Sequence, residues 1–99
     1  MCLMIQHTIR DYDDWKPVFD AGEYVRTNHG CIGHEIFRGD DNANDLTIML
    51  EFPSRSARES FMADPELRQH MDEGGVTSEP RAMWVTQTQR VDYRSRKAA

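Results

Sequence analysis

Leu3, Ile5, His7 and Ile9 alternate with Cys2, Met4, Gln6 and Thr8 at the start of the chain. A period of two sends successive side chains to opposite faces of a strand. One face here is apolar apart from a histidine, and the other is mixed. The pattern predicts a buried central strand over Cys2 to Ile9. It stops at Asp11, Asp13 and Asp14. Beyond them the apolar spacing changes to three and four residues, through Trp15, Val18, Phe19, Gly22 and Val25. The chain therefore leaves a sheet, turns through acidic residues and lays a helix back on the sheet.

Any of the three aspartates can accept from the free N–H groups of the first helical turn, and their charge suits that positive end. Pro17 is best tolerated in the first turn, which favours a start near Asp13 or Asp14. Lys16, Asp20, Glu23 and Arg26 fall mainly on the outer side. Asn28-His29-Gly30 is the expected stop. Two further strands, Ile32 to Arg38 and Leu46 to Phe52, flank the polar turn GDDNAND and form an antiparallel hairpin. The first sets Ile32, His34 and Ile36 against Glu35 and Phe37. The second sets Leu46, Ile48, Leu50 and Phe52 against Thr47, Met49 and Glu51.

A second helical region follows Pro53. Ser54 or Ser56 caps it, and Ser56 with Glu59 has the capping-box spacing. Ala57 and Phe61 form its apolar side. The helix restarts at Asp64-Pro65, turns Leu67, His70 and Met71 inward, and ends at Gly74-Gly75. The last strand runs from Arg81 to about Val91, with Met83, Val85 and Val91 opposite Trp84.

The order β-α-β-β-α-β predicts an α+β, ferredoxin-like fold: a four-stranded antiparallel sheet with two helices on one face. Residues 1–93 form the single domain and 94–99 a basic tail. Met4, Phe37 and Met49, with Trp84 assigned to the same side, leave the second sheet face partly apolar. Such a face invites a second copy, so a homodimer joined sheet to sheet is expected.

The net charge of −5 argues against a nucleic-acid partner. Arg90, Arg94, Arg96 and Lys97 against Asp92 give the end of the chain +3 and leave −8 on residues 1–89. Cys2 and Cys31 make no disulfide framework, and no leader precedes them. No apolar run approaches the roughly 18 residues of a membrane span. These features predict a soluble cytoplasmic protein with no membrane partner.

Three runs carry a family resemblance: HTIRDYDDWKPVFD, RGDDNAND, and DPELRQHMDEGGV with a proline shortly after. They anchor a likeness that covers nearly the whole chain, which resembles the dimeric α/β-barrel proteins, small relatives of the antibiotic-biosynthesis monooxygenases. The resemblance implies a ferredoxin-like homodimer. Members of that superfamily include cofactor-free monooxygenases acting on polycyclic phenols, haem-degrading enzymes, polyketide cyclases and isomerases. The monooxygenase and haem-degrading members use an asparagine on the first strand, where this chain carries Gln6 and His7.

His7 is the leading candidate for chemistry, because it should point with Leu3 and Ile5 into the space between sheet and helices. A histidine there can act as a base near neutral pH. His34 has the same alternation as Ile32 and Ile36 and is a candidate to share that space, with Tyr12 or Tyr24 as a helper. Such a group suits proton removal from a phenol or activated methylene, the step that an oxygenase and a cyclase share. Trp15, Phe19, Phe61, Leu67, Met71 and Trp84 are candidate walls for a small aromatic or polyketide-like ligand. Each is also an ordinary core residue, Trp15 at the helix–sheet contact and Trp84 between sheets. No metal or organic cofactor is expected. The His29-Gly30-Cys31-Ile32-Gly33-His34 run lacks the paired ligands of a zinc site, and the aspartate cluster lacks the glycine and distal glutamate of a calcium loop. There is no phosphate-binding glycine loop and no Ser/His/Asp signature.

Two outcomes separate a ligand-processing protein from a non-catalytic binder. A cavity of roughly 300 Å³ or more with His7 exposed in it favours the first. A filled core with His7 bonded to the backbone favours the second.

Overall fold

A computed structural model describes residues 1–95. Strand β1 (Cys2–Thr8) lies between β3 (Asp45–Glu51) and β4 (Arg81–Val85), and β2 (Gly33–Arg38) pairs on the far side of β3. All three pairings are antiparallel, and the order β2-β3-β1-β4 is that of the ferredoxin-like fold. The register sets Leu3 opposite Leu50, Ile5 opposite Ile48 and His7 opposite Leu46. These residues share one face, and all are buried. The alternation read from β1 is thus the floor of the core.

Four helices build the layer above it: α1 (Tyr12–Ala21), α2 (Glu23–Asn28), α3 (Arg55–Met62) and α4 (Pro65–Glu73). Trp15, Val25, Phe52 and Phe61 join the strand residues in one core cluster. Ser54 caps α3, accepting from the Ala57 N–H at 3.2 Å, and Asp64 caps α4, accepting from the Glu66 N–H at 2.9 Å. Glu59 does not close a capping box with Ser56; it pairs with Arg55 one turn back at 3.0 Å.

Four expectations need correction. First, Asp11 rather than Asp13 or Asp14 caps α1. Its carboxylate accepts from the Asp13 N–H at 2.9 Å, and its carbonyl accepts from Trp15 N–H. Pro17 therefore sits in the second turn, where its missing N–H leaves the exposed Asp13 carbonyl free to face water. Second, the first helix breaks at Gly22. A Cβ there would stand 2.9 Å from His70 Nδ1, so α4 approaches this closely only because residue 22 is glycine. Third, Arg26 faces inward, in line with Trp15, Phe19 and Gly22 at three-and-four spacing. It is buried, donates from Nη1 to the Phe19 carbonyl at 2.7 Å, and lies 3.8 Å above the Phe19 ring.

Fourth, β4 ends at Val85, not near Val91, because Val85 already faces Cys2, where β1 begins. Trp84 pairs with Leu3 and so lies on the helix side, not on the open face. Its ring packs under Arg58 at 4.8 Å, while Arg58 Nη1 donates to the Cys2 carbonyl at 3.0 Å. Met83 pairs with Met4 on the open face, with Met49 beyond. A short 3-10 turn spans Tyr93–Ser95. Most of the expected basic tail lies outside the described residues.

Gly22→Ala tests the close approach of α4. Overpacking costs about 1–3 kcal/mol, more than the ~0.5–1 kcal/mol gained by replacing a helical glycine. The urea midpoint should fall, and a higher midpoint would show that the contact with His70 constrains nothing.

Candidate active site

His7 is the last inward residue of β1 inside the strand proper, and the helices close over it. Trp15 meets it edge-on at 6.2 Å and stacks in turn on Phe19 at 4.8 Å. Phe61 enters from α3, and Leu67, His70 and Met71 enter from α4 at the three-and-four spacing that put them on one side in the sequence. Together with Gly22, Val25 and Arg26 they enclose an apolar cavity of about 60 Å³ above Ile5, Ile48 and Leu50. That holds a few waters. It is well short of the roughly 300–1,000 Å³ of pockets that take drug-sized ligands.

His7 is only 6% exposed, and its Nδ1 is enclosed without a hydrogen-bond partner among the described residues. Burial lowers its pKa, and a backbone hydrogen bond partly opposes that. The imidazole is therefore neutral at pH 7, an available base in apolar surroundings. The structure matches neither simple outcome. The space is small, and although a backbone group beside His7 favours its charged form, the ring Nδ1 has no partner within hydrogen-bond geometry among the described residues.

Of the residues singled out in the sequence, His7, Trp15, Phe19, Phe61, Leu67 and Met71 come together around this space. His34 does not line it. It is exposed on the edge strand and touches Phe19 edge-on at 5.1 Å from outside; burial against that ring and the charges of Arg26 and Lys16 lower its pKa. Tyr12 stands behind Trp15 at 5.7 Å, under the Arg38 guanidinium at 4.1 Å. Trp84 is 44% exposed and separate from the cavity.

Two polar lining residues carried no functional assignment in the sequence, His70 and Arg26. His70 lines the cavity, keeps an unpartnered buried Nδ1, and places Nε2 3.2 Å from the Tyr24 hydroxyl. Its spacing from Leu67 and the glycine at position 22 were the available signals. For Arg26 the signal was its place four residues after Gly22 and seven after Phe19, on the Trp15 side, which its charge masked.

A Ser/His/Asp grouping does form in space. His29 contacts Ser60 Oγ through Nδ1 at 3.0 Å and Asp64 Oδ2 through Nε2 at 2.7 Å. Ser60 lies inside α3, where backbone N–H groups bond within the helix, so no donors remain to stabilise an oxyanion beside it. The grouping ties the end of α2 to the α3–α4 junction. The His29 hydrogen bond holds the Asp64 carboxyl below its usual range. Among the described residues no three His, Cys, Asp or Glu side chains converge as a metal site would need, and no helix is long and apolar enough to cross a membrane.

This architecture is shared with solved structures. SnoaB from Streptomyces nogalater, a cofactor-independent oxygenase, matches over 88% of this chain and 93% of its own, with a TM-score of 0.67 and 19% identity. An assigned antibiotic biosynthesis monooxygenase from Bordetella bronchiseptica matches over 89% and 96%, with a TM-score of 0.76 and 8% identity. One from Caulobacter crescentus matches over 89% of both chains, with a TM-score of 0.70 and 12% identity. No family sequence model and no curated protein sequence matches the chain. The protein thus has the ferredoxin-like α+β fold of the antibiotic-biosynthesis monooxygenase structures.

His7 predicts a pH dependence of stability. Its folded pKa lies below its unfolded value, so the unfolded chain binds more protons between the two. The stability of the neutral buried ring is complete above the unfolded pKa of about 6.5 and falls as pH drops toward the folded pKa. His7→Gln should flatten that slope in urea melts between pH about 7.5 and 5, leaving a smaller share from His34. An unchanged slope would show that His7 does not titrate differently on folding.

Proposed function

We propose that this protein is a small-molecule enzyme, a cofactor-independent monooxygenase of aromatic or polyketide-like compounds, with His7 as its base. The observation that carries the proposal is a buried histidine whose Nδ1 has no hydrogen-bond partner among the described residues, on the wall of a mostly apolar cavity. The shared fold with SnoaB, itself a cofactor-independent oxygenase, supports the same reading.

His7 takes a proton from an activated methylene of the bound molecule, and the electron pair left on carbon reacts with dioxygen. For a methylene the balance is CH₂ + O₂ → C=O + H₂O, so the substrate supplies all the electrons and no redox cofactor enters. Trp15, Phe19 and Phe61 supply flat apolar walls. His34 and Tyr12 lie behind Phe19 and Trp15, so their part is to position those rings. Trp84 borders the helix-side edge away from this space. A cyclase uses the same proton transfer and stops at carbon–carbon bond formation.

One observation favours a rival, the non-catalytic binder: the cavity holds only about 60 Å³. An aromatic substrate needs the wall to move, and α4 is the wall without a fully buried residue.

The assembly we propose is a homodimer. Met4, Met49, Phe37 and Met83 lie on the face opposite the helices, where Phe37 is 51% and Met83 40% exposed. A second sheet covers those side chains without touching the cavity.

Oxygen uptake with a polycyclic phenol that bears an activated methylene tests the chemistry. In His7→Ala the rate should fall by about 10²–10⁴, the usual worth of a positioned base. A rate within a factor of about two would remove His7 from the mechanism. Native mass spectrometry of the freshly purified chain should give twice the chain mass, and Phe37→Asp with Met49→Asp should give the monomer. A monomer from the unaltered chain would overturn the sheet-to-sheet assembly.

A further inference from the structure

We propose that His70 is a second base of the cavity, one that takes the hydroxyl proton of a phenolic ligand and is set for that task by Tyr24. The inference rests on the pocket reading above and assigns a role to a residue that reading leaves idle.

His70 stands on α4 with Nδ1 buried and unpartnered, while its other nitrogen meets the Tyr24 hydroxyl at 3.2 Å. The ring packs on Tyr24 edge-on at 5.7 Å. Its Nδ1 lies over Gly22, where any Cβ would approach to 2.9 Å, so the glycine keeps this position open. Tyr24 is held at its other side. The loss of solvent round the hydroxyl, then the charge and hydrogen bonding of Glu66, raise its pKa and keep it protonated. The residue as a whole is 49% exposed, so that loss is local to the hydroxyl and the chain ends at solvent.

A neutral imidazole has one N–H to give. Nδ1 has no acceptor beside it among the described residues, whereas Nε2 meets the Tyr24 oxygen, so the proton stands on Nε2 and Tyr24 accepts the hydrogen bond. The partner of one ring nitrogen sets the tautomer, so Nδ1 keeps its lone pair. When a ligand hydroxyl reaches Nδ1, the O–H bond breaks, its electron pair stays on oxygen, and the proton forms the new N–H bond at Nδ1, leaving an imidazolium whose Nε2–H stays on Tyr24. His70 touches the ligand and is catalytic. Tyr24 acts through it and is a positioning residue.

The probe is 4-nitrophenol, a single-ring phenol whose ionised form absorbs apart from its neutral form. It is titrated against the full chain at about pH 6, where the free phenol is mainly protonated. The unaltered protein should bind it as phenolate. His70→Gln should still bind it, with the phenolate-to-phenol ratio reduced about tenfold, one pKa unit, and Tyr24→Phe should reduce the ratio less. A phenolate band that survives His70→Gln overturns the assignment to His70 alone. No bound phenol in the unaltered protein overturns the pocket reading with it.

A second readout needs no ligand. Nitrogen-15 imidazole spectra of the free protein should show His70 with its proton on Nε2, and Tyr24→Phe should mix the tautomers. A proton on Nδ1 in the unaltered chain would overturn the proposal whether or not any phenol binds.

Discussion

The structure depends on a strand that is apolar on one face and keeps its alternation through a histidine. β1 is central, paired on both sides, so its inward residues have no route to water. Leu3, Ile5 and Ile9 gain from this placement, about 1.5–3 kcal/mol for each large aliphatic side chain. His7 does not. Leaving a buried polar nitrogen unpaired costs about 1–3 kcal/mol. A leucine at position 7 would turn that cost into a gain with no change of register. With Arg58 and His70, His7 is one of three described residues that bury an unpartnered side-chain nitrogen, and such departures are expected at functional or strained sites.

The helical layer shows the same trade in a second place. Arg26 follows Gly22 by four residues and Phe19 by seven, so helical spacing carries its charge to the buried side. Gly22 ends the regular turn and takes α4 in contact, and Arg26 swings over Phe19 with its charge satisfied by a carbonyl. The guanidinium then acts as part of the cavity wall through its flat face on an aromatic ring. Stability is lost at the break and partly recovered in the new contacts, and the product is a lining with one cation and two imidazoles in an apolar space.

The fold was legible because its strands alternate with unusual regularity and its turns carry capping residues. β3 and the hairpin before it follow directly from Leu46, Ile48 and Leu50, and Asp64-Pro65 marks α4 without ambiguity. What the sequence hid were relations between elements. Asp11 outcompeted its neighbours for the cap because proline was tolerated one turn later than local preference favours. Trp84 changed face because β4 takes its register from β1, and no residue in β4 encodes that offset. His34 keeps the core-facing phase of Ile36, yet β2 is an edge strand, so the same phase leads to the rim. The inner group of candidates, His7 with Trp15, Phe19 and Phe61, was legible from period alone. His70 was placed inward by its spacing, but its unpaired nitrogen depends on a glycine 48 positions earlier.

A core that merely fills space would remove both unpaired imidazole nitrogens or bond them to backbone. This one keeps them facing a cavity too small for the ring systems its walls would suit. The two facts agree if the closed form is the resting one. Among the helices around the cavity, α1, α2 and α3 each bury at least one residue fully, whereas α4 buries none. It begins at Asp64-Pro65 and ends at Gly74-Gly75, where Gly75 has a φ of +80°. Elements with few buried contacts open at the lowest free energy. Displacing α4 would enlarge the space and carry His70 with it, while His7 stays fixed on the central strand. On the proposed reading, one base then belongs to the sheet and the other to the wall, so closure of α4 on a ligand would bring the two histidines to bear on it together.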